Sequence, residues 1–385
     1  MWNALRRGLV VSAAGILAVP TGGDLQAQSR PELSWYGYLK MDASWDEGLV
    51  SSGNYARWVV SPDVFEGHGH LNMTPRQTRL GFLVHTRAGA AALTGRWESD
   101  FYGGGAENKN ALQVRHAYVD AVWPSGWSIL AGQTSDVISP LNPGTLNYTV
   151  AWWAGNIGYR RPQIRVTKRV EVSVGGEVRF EAAATRTIGD DFATSEPGDS
   201  GADSESPTVQ ALVGLTLPMG DVPLVVGAYA HHGVENLHRE LGGEPVRLSS
   251  SGWGTYLTIP LGHSVSLNGE AWGGWNLDDY LGGVGQGIQV DSRMANSVAS
   301  TGGWAELAVR RGSAALRAGL GLDDPENADL DAGARGRNSA FWGTVTHDAG
   351  GGLSYGLEIS RWETTYILGT TGTSWRVQGS VIFTF

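Results

Sequence analysis

The sequence predicts an all-β protein, a transmembrane antiparallel β-barrel of about sixteen strands, with short turns on the periplasmic side and long loops outside. Apolar and polar residues alternate with period two in segments of about ten residues, the length a tilted strand needs to cross a bilayer. The connections between these segments alternate between tight turns and long polar loops. After the N-terminal region, no stretch reaches the roughly 18 to 20 consecutive apolar residues that a spanning helix requires, so a helical membrane protein is excluded. With 41% hydrophobic residues, 56 Gly and 16 Trp the chain is too apolar for disorder. Its formal net charge of -10 leaves no basic footprint for nucleic acid.

At the N-terminus, Arg6 and Arg7 precede the apolar run 8–19, and the small residue Ala27 follows a short polar stretch. This is the layout of a secretory signal, so residues 1–27 are expected to be removed and 28–385 to form the barrel, although Leu25 is an unusual residue two positions before Ala27. An exported chain without Cys gains nothing from disulfides, which also favours a closed barrel.

The first strand, 34–45, carries Trp35, Gly37, Leu39, Met41, Ala43 and Trp45 on one face and Ser34, Tyr36, Tyr38, Lys40, Asp42 and Ser44 on the other. Trp at both ends of an apolar face suits a strand that meets an aromatic girdle at each membrane surface. The pattern returns at 78–87, 92–101, 112–123, 126–133, 161–170, 171–185, 208–217 and 222–232. It continues at 252–261, 265–275, 303–310, 314–322, 340–348, 353–362 and 374–385. The tight connections are 88–91, 124–125, 218–221, 262–264, 312–313 and 349–352, and the sixth and seventh strands nearly touch at 170–171. Between them lie the loops 46–77, 102–111, 134–160, 186–207, 233–251, 276–302, 323–339 and 367–373, read as external. In the fourth strand Leu112 and Val114 sit on the opposite phase from Ala117, Val119 and Ala121, which implies a bulge or a shifted boundary.

The last strand places Trp375, Val377, Gly379, Val381, Phe383 and Phe385 on one face and stops on an aromatic residue. This resembles the terminal signature of outer-membrane barrels, which implies that barrel assembly machinery reads Phe385. The segments Arg76-Gln77-Thr78-Arg79-Leu80-Gly81-Phe82, Glu98-Ser99-Asp100-Phe101-Tyr102-Gly103, Val114-Arg115-His116-Ala117-Tyr118-Val119 and Arg160-Arg161-Pro162-Gln163-Ile164-Arg165 resemble recurrent segments of the DcaP-like porins. The resemblance covers strands two to six, and the second half matches only in architecture. It implies a Gram-negative outer-membrane porin, a homotrimer of sixteen-stranded barrels in contact with lipid and lipopolysaccharide. No N-terminal coiled-coil extension of the kind found in some members is expected from this sequence.

An Arg facing lipid at mid-membrane costs about 2 to 4 kcal/mol, so the face Arg161, Gln163, Arg165, Thr167, Arg169 of the sixth strand must line the interior. The same reasoning places Arg79, His85, Arg87, Arg96, Glu98, Asp100, Glu171, Glu177, Arg179 and Glu181 inside, a wall rich in Arg. Glu270, Glu306 and Glu358 face inward on the opposite strands, where they would set up a field across the lumen. The segment 134–160 is expected to fold inward as a constriction, as in porins of this architecture, with Pro140 and Pro143 fixing a turn. It carries one acid, Asp136, together with Asn142, Asn147 and Asn156, and Trp152 or Trp153 is expected against the wall opposite the Arg residues. The expected function is passive, anion-preferring diffusion of small acidic, carboxylate-type solutes, with Arg79, Arg96, Arg161, Arg165 and Arg169 as transient contacts.

The alternative is a barrel enzyme of protease or lipase type with a rim site, for which His347-Asp348 or Asp278-Asp279 are candidates, although no Gly-x-Ser-x-Gly elbow is present. Gly67-His68-Gly69-His70 and His231-His232 lack the ligand spacing of structural zinc. The acidic stretch 190–205 lacks the order of a calcium loop, and Gly283-Val284-Gly285-Gln286-Gly287 lacks the strand-to-helix context of a phosphate loop. No cofactor or metal is expected.

Overall fold

The computed structural model describes residues 30–385 apart from 53, 66, 68, 105–109, 189–200, 202–203, 238–245 and 291–294. The signal at 1–27, His68 and most of the acidic stretch 190–205 lie outside the described residues. The strands are β1 (Glu32–Asp46), β2 (His70–Thr74 and Arg79–Ala88, interrupted at 75–78), β3 (Ala91–Asp100), β4 (Gln113–Val122), β5 (Trp127–Ser135), β6 (Arg160–Val172), β7 (Gly176–Thr185) and β8 (Thr208–Leu217). The second half comprises β9 (Leu224–Leu237), β10 (Val246–Pro260), β11 (Val265–Trp275), β12 (Ala299–Arg311), β13 (Ala314–Pro325), β14 (Arg335–Gly350), β15 (Leu353–Tyr366) and β16 (Gly372–Thr384). Each pairs antiparallel with the next, and β1 pairs with β16, Met41 opposite Val381 and Ala43 opposite Gly379, so the sheet closes and no edge is left to water or lipid.

Every strand expected from the alternation is present, with two corrections of detail. Glu171 belongs to the end of β6, opposite Glu177 of β7, and a 3-10 turn at Ser173–Gly175 separates the two strands. The phase change in the fourth strand is a bulge. His116 pairs with Glu98 and Val114 with Ser99, leaving Arg115 as the extra residue, so Arg115 and His116 both reach inward polar partners.

The alternation decides which face meets lipid. On β1, Trp35 is 67% exposed and Leu39 53%, whereas Lys40 and Asp42 are buried in the interior. Ile164, Phe341, Leu357 and Phe385 extend the same outward band around the barrel. An apolar belt this continuous is satisfied by hydrocarbon and not by water. Among the described residues no helix is long and apolar enough to cross a membrane; the strands do so.

At the closing seam, Arg376 of β16 donates twice from Nη1 to Asp46 of β1, at 2.8 and 2.7 Å, and both residues are almost wholly buried. Asp42 accepts from Gln378 at 3.1 Å and pairs with Lys40 at 3.2 Å. These bonds pin the register of the two chain ends on the lumen side while Ala43 and Gly379 face out.

Removing one partner of such a buried pair costs about 3 to 5 kcal/mol, because it leaves an uncompensated charge. Asp46→Ala is therefore expected to lose its folded band on an unboiled denaturing gel at a lower temperature than the parent chain. A variant that converts at the parent's temperature would show that the seam holds without the pair.

Candidate functional site

The loop between β5 and β6 runs into the barrel interior. Val137, Ile138 and Ile157 pack against Leu212, Tyr229, Tyr256 and Trp272 of β8 to β11, and Ala151 and Ala154 pack against Trp304, Ala340, Trp342 and Trp362 of β12 to β15. The loop thus packs on the side of the lumen lined by β8 to β15. Its close approach is visible at Gly155, where φ is 111° and a Cβ would stand 2.2 Å from the Gly303 carbonyl oxygen. Ser139, Val150, Ala151 and Trp153 also take left-handed backbone angles, strain that the surrounding contacts must hold in place.

Those contacts come from the carboxylates expected to form an acidic wall. Glu270 accepts from the Leu141 N–H at 2.7 Å and from the Ser139 hydroxyl, and Glu306 accepts from the Gly144 N–H at 2.8 Å. Glu358 accepts from the Leu146 N–H at 2.5 Å and from the Asn147 side-chain amide at 3.2 Å. Glu270, Glu306 and Glu358 are respectively 5%, 4% and 1% exposed, so they are loop anchors and present little charge to the lumen. Lys40 of β1 donates to the Leu146 carbonyl at 2.8 Å, and Trp272 of β11 donates to the Gly155 carbonyl at 2.7 Å.

The base of the loop is locked by the ion pair of Arg161 and Asp136 at 2.9 Å. Arg161 also donates to the Asp279 carbonyl at 3.0 Å, stacks on Tyr280 at 4.1 Å and is 1% exposed. This corrects its expected place among the water-exposed contacts: alternation aims Arg161 inward, but the loop closes over it. Asn147 is likewise buried, while Asn142, bonded by the Asn156 amide at 3.2 Å, keeps a face on the lumen. Trp153 reaches the far wall, its carbonyl accepting from Asn338 of β14 at 2.7 Å, but Trp152 lies beside Arg160 at the start of β6 and not opposite the Arg residues.

Two further loops enter the lumen, contrary to the expectation that they stay outside. In the 47–69 loop, Asn54 donates to Asp42 at 2.8 Å and its carbonyl accepts from the Tyr148 N–H at 2.9 Å. In the 276–287 segment, Tyr280 and Leu281 accept from the N–H groups of Gly158 and Trp153. Hydropathy could not show this, since polar loop residues suit water outside as well as hydrogen-bonding partners inside.

What stays open is a chain of three adjoining cavities, two along the basic wall and an inner one against β11 to β13. The outer one, of about 300 Å³, is lined by Arg57, Arg76, Tyr102 and Arg160. The middle one, of about 470 Å³, shares Tyr148, Trp152, Tyr159 and Arg160 with it and is lined further by Arg79, Arg115, Arg165 and Arg179 against Asp136 and Glu181. The inner one, of about 640 Å³, meets the turns at His263 and Gly312 and shares Asn142 with the middle one.

Charges on this wall are extensively paired. Glu98 lies 3.3 Å from Arg79, 2.7 Å from Arg96 and 3.1 Å from Arg115, and Arg115 also meets Asp100 at 2.7 Å. Three arginines therefore share two carboxylates. Glu181 stands 3.9 Å from Arg165 and 4.0 Å from Arg179, again two cations to one anion, while Arg169 pairs with Glu177 at 3.6 Å. The clusters around Glu98 and Glu181 each retain a positive excess. Arg57, Arg76, Arg115, Arg160 and Tyr148 were not identified as site residues from periodicity. The phase change in strand four was the signal for Arg115, and the break at Pro75 turns Arg76 inward.

The other candidates lie apart. His347 is exposed beside the Ser313 hydroxyl at 3.2 Å, and Asp348 accepts from the Gly350 N–H at 2.8 Å. His231 is buried against Tyr280, and His232 bonds to Ser251. Among the described residues no group of three or more His, Asp or Glu is arranged to hold a metal ion.

No protein-family model matches the chain, and no curated protein matches its sequence. Solved structures do match its fold. The outer membrane channel DcaP of Acinetobacter baumannii superposes with a TM-score of 0.72 at 20% identity, over 92% of this chain and 97% of that one. An anion-selective porin from Comamonas acidovorans gives a TM-score of 0.57 at 12% identity, over 92% and 100%. OmpF of Salmonella typhi in complex with daunomycin gives 0.54 at 11%, over 92% and 97%. The fold is that of the outer-membrane porins.

Glu358→Ala would leave the Leu146 N–H and the Asn147 amide without this acceptor, at about 1 to 3 kcal/mol for a buried donor. The loop should loosen, and single-channel recordings should show larger and noisier currents than the parent. Currents matching the parent's in size and noise would show that the loop is held without Glu358.

Proposed function

We propose that this chain is an outer-membrane porin through which small acidic solutes, carboxylates above all, diffuse passively with a preference for anions. The observation that carries this reading is the pair of adjoining cavities on the basic wall, through which the route from the outer rim to the inner cavity runs. Arg79, Arg115, Arg160, Arg165 and Arg179 outnumber Asp136 and Glu181 around the middle cavity, and Asp136 is already paired with Arg161. A low-dielectric rim strengthens the resulting field. Arg holds a carboxylate bidentately, yet a channel must also release it, so guanidinium groups already shared with Glu98 or Glu181 suit relay better than one tight pocket. Affinity is expected on the order of millimolar, about 4 kcal/mol. The fold shared with an anion-selective porin and an outer membrane channel supports the same reading. The rival, a rim enzyme, finds less support, because His347 and Asp348 engage separate partners.

Planar-bilayer reversal potentials in a salt gradient test the selectivity. Arg165→Glu should move the potential toward cations, and an unchanged potential would take Arg165 out of the ion path. Arg161→Glu should instead break the lock with Asp136 and impair folding, read on the same gel as above.

We also infer a homotrimer in the outer membrane, reached after export and assembly through Phe385. Ala43 and Gly379 lie opposite each other on the outward face of the closing strands, where small side chains allow close approach of a second copy. Light scattering in detergent should give three protomers per particle, and one protomer at micromolar concentration would refute the trimer.

A further inference from the structure

We propose that Asn54 and Asn338 are positioning residues of the pore, which couple the 47–69 loop to the 134–160 loop so that the two form one gate and the first sets the width of the passage. The proposal rests on the channel reading above but not on its anion preference.

Both asparagines are wholly buried, and each ties the two loops together. The side-chain amide of Asn338 of β14 donates to the Arg57 carbonyl of one loop at 2.9 Å and to the Trp153 carbonyl of the other at 2.7 Å. Its oxygen accepts from the Thr364 hydroxyl at 2.8 Å, and that hydroxyl accepts from the Val59 N–H at 2.8 Å. Two carbonyls can face only the NH2 end of an amide, so the orientation of Asn338 is set and one of its hydrogens serves each loop. Asn54 belongs to the 47–69 loop itself. Its amide donates to Asp42 at 2.8 Å and to Gln77 at 2.7 Å, and its backbone carbonyl accepts from the Tyr148 N–H at 2.9 Å. Lys40 donates to Gln77 at 2.6 Å and to the Leu146 carbonyl at 2.8 Å, so hydrogen bonds run in a closed circuit from Leu146 back to Tyr148.

The stretch between these two attachments is strained. Val150, Ala151 and Trp153 have φ of 45°, 60° and 62°, left-handed values that are unfavourable for side chains of this kind and persist only where the surroundings enforce them. Glu270, Glu306 and Glu358 enforce the preceding part of the loop, from Ser139 to Asn147. From Tyr148 to Trp153 the 47–69 loop takes over. Tyr55 stacks on Tyr148 at 5.6 Å between centroids and meets Trp153 at 5.7 Å, and Trp58 meets Trp153 edge to face at 5.8 Å.

This stretch is also a wall of the passage. Tyr148 and Trp152 line both the outer and the middle cavity, and Val150 lines the middle one. Releasing either attachment lets the left-handed residues return to ordinary backbone angles, and that relaxation moves Tyr148, Val150 and Trp152 together because a strained turn unwinds as a unit. Packed elements of this kind switch between discrete arrangements and do not deform continuously. Asn54 and Asn338 carry no charge and line none of the three cavities, so their loss changes the width of the passage while the Arg wall keeps its field.

The test uses the full chain refolded into planar bilayers, where conductance, reversal potential and the exclusion of neutral polyethylene glycols of graded size are read in the same membranes. Asn54→Ala and Asn338→Ala are each expected to raise the conductance and to lose the exclusion of polymers that the parent keeps out, at the parent's reversal potential. Because one strained turn is released in both, the double variant is expected to match either single one, whereas independent loops would give increments that add. Should an alanine variant give no folded band on the unboiled gel, Gln77→Met replaces Asn54→Ala and Thr364→Val replaces Asn338→Ala, each removing a bond that holds the asparagine, with the same expected direction. A lower gel-conversion temperature with the parent's polymer exclusion retained is the mark of a purely structural role and overturns the proposal, and increments that add overturn the single gate. A folded parent that passes no current overturns the channel reading, whereas a conducting parent whose folded variants keep its exclusion overturns the gate alone.

Discussion

The arrangement depends on three carboxylates, Glu270, Glu306 and Glu358, accepting backbone N–H groups from a loop that has left the barrel rim. A loop of this length carries amides that a strand ladder would otherwise satisfy, and burying them unpaired would exclude the conformation. Charge-assisted bonds to carboxylates are among the strongest available for the purpose. Because the three acceptors sit on β11, β12 and β15, the loop is drawn to one side of the lumen.

The one-sided pore follows from that placement. Apolar side chains that would be out of place in a wide aqueous channel, among them Trp272, Trp304, Trp342 and Trp362, are covered by the loop and become a core. The outer and middle cavities run where the loop is not, beside β2 to β7, whose inward residues are rich in Arg, and the inner cavity opens beneath the loop against β11 to β13. The negative charge of the opposite strands is spent on backbone amides, so the field in the outer and middle cavities is set by the imbalance within the basic wall itself.

That imbalance is small at any one place. Glu98 is shared among Arg79, Arg96 and Arg115, and Glu181 between Arg165 and Arg179, so an incoming anion competes with a carboxylate already present. Competition of this kind lowers affinity at each step and favours movement. The outer vestibule differs, because its guanidinium groups face aromatic rings in place of acids.

The strands, their order and the face each turns to lipid were legible in the sequence, because period-two alternation is a local consequence of the pleat and the cost of a charge in hydrocarbon is too large to violate. Even the bulge at Arg115 was announced by a change of phase. Inward direction was legible for Arg161 and Glu270 alike, but their tasks were not. Whether an inward charge meets water or a loop depends on contacts between residues far apart in the chain, such as Arg161 with Asp279, Leu141 with Glu270 and Leu146 with Glu358, and no local pattern encodes them. Tertiary structure alone decided that Arg161 is sealed, that the 47–69 loop enters the lumen and that Arg57, Arg76 and Arg160 converge on one cavity, because each outcome balances buried polar groups across the whole barrel.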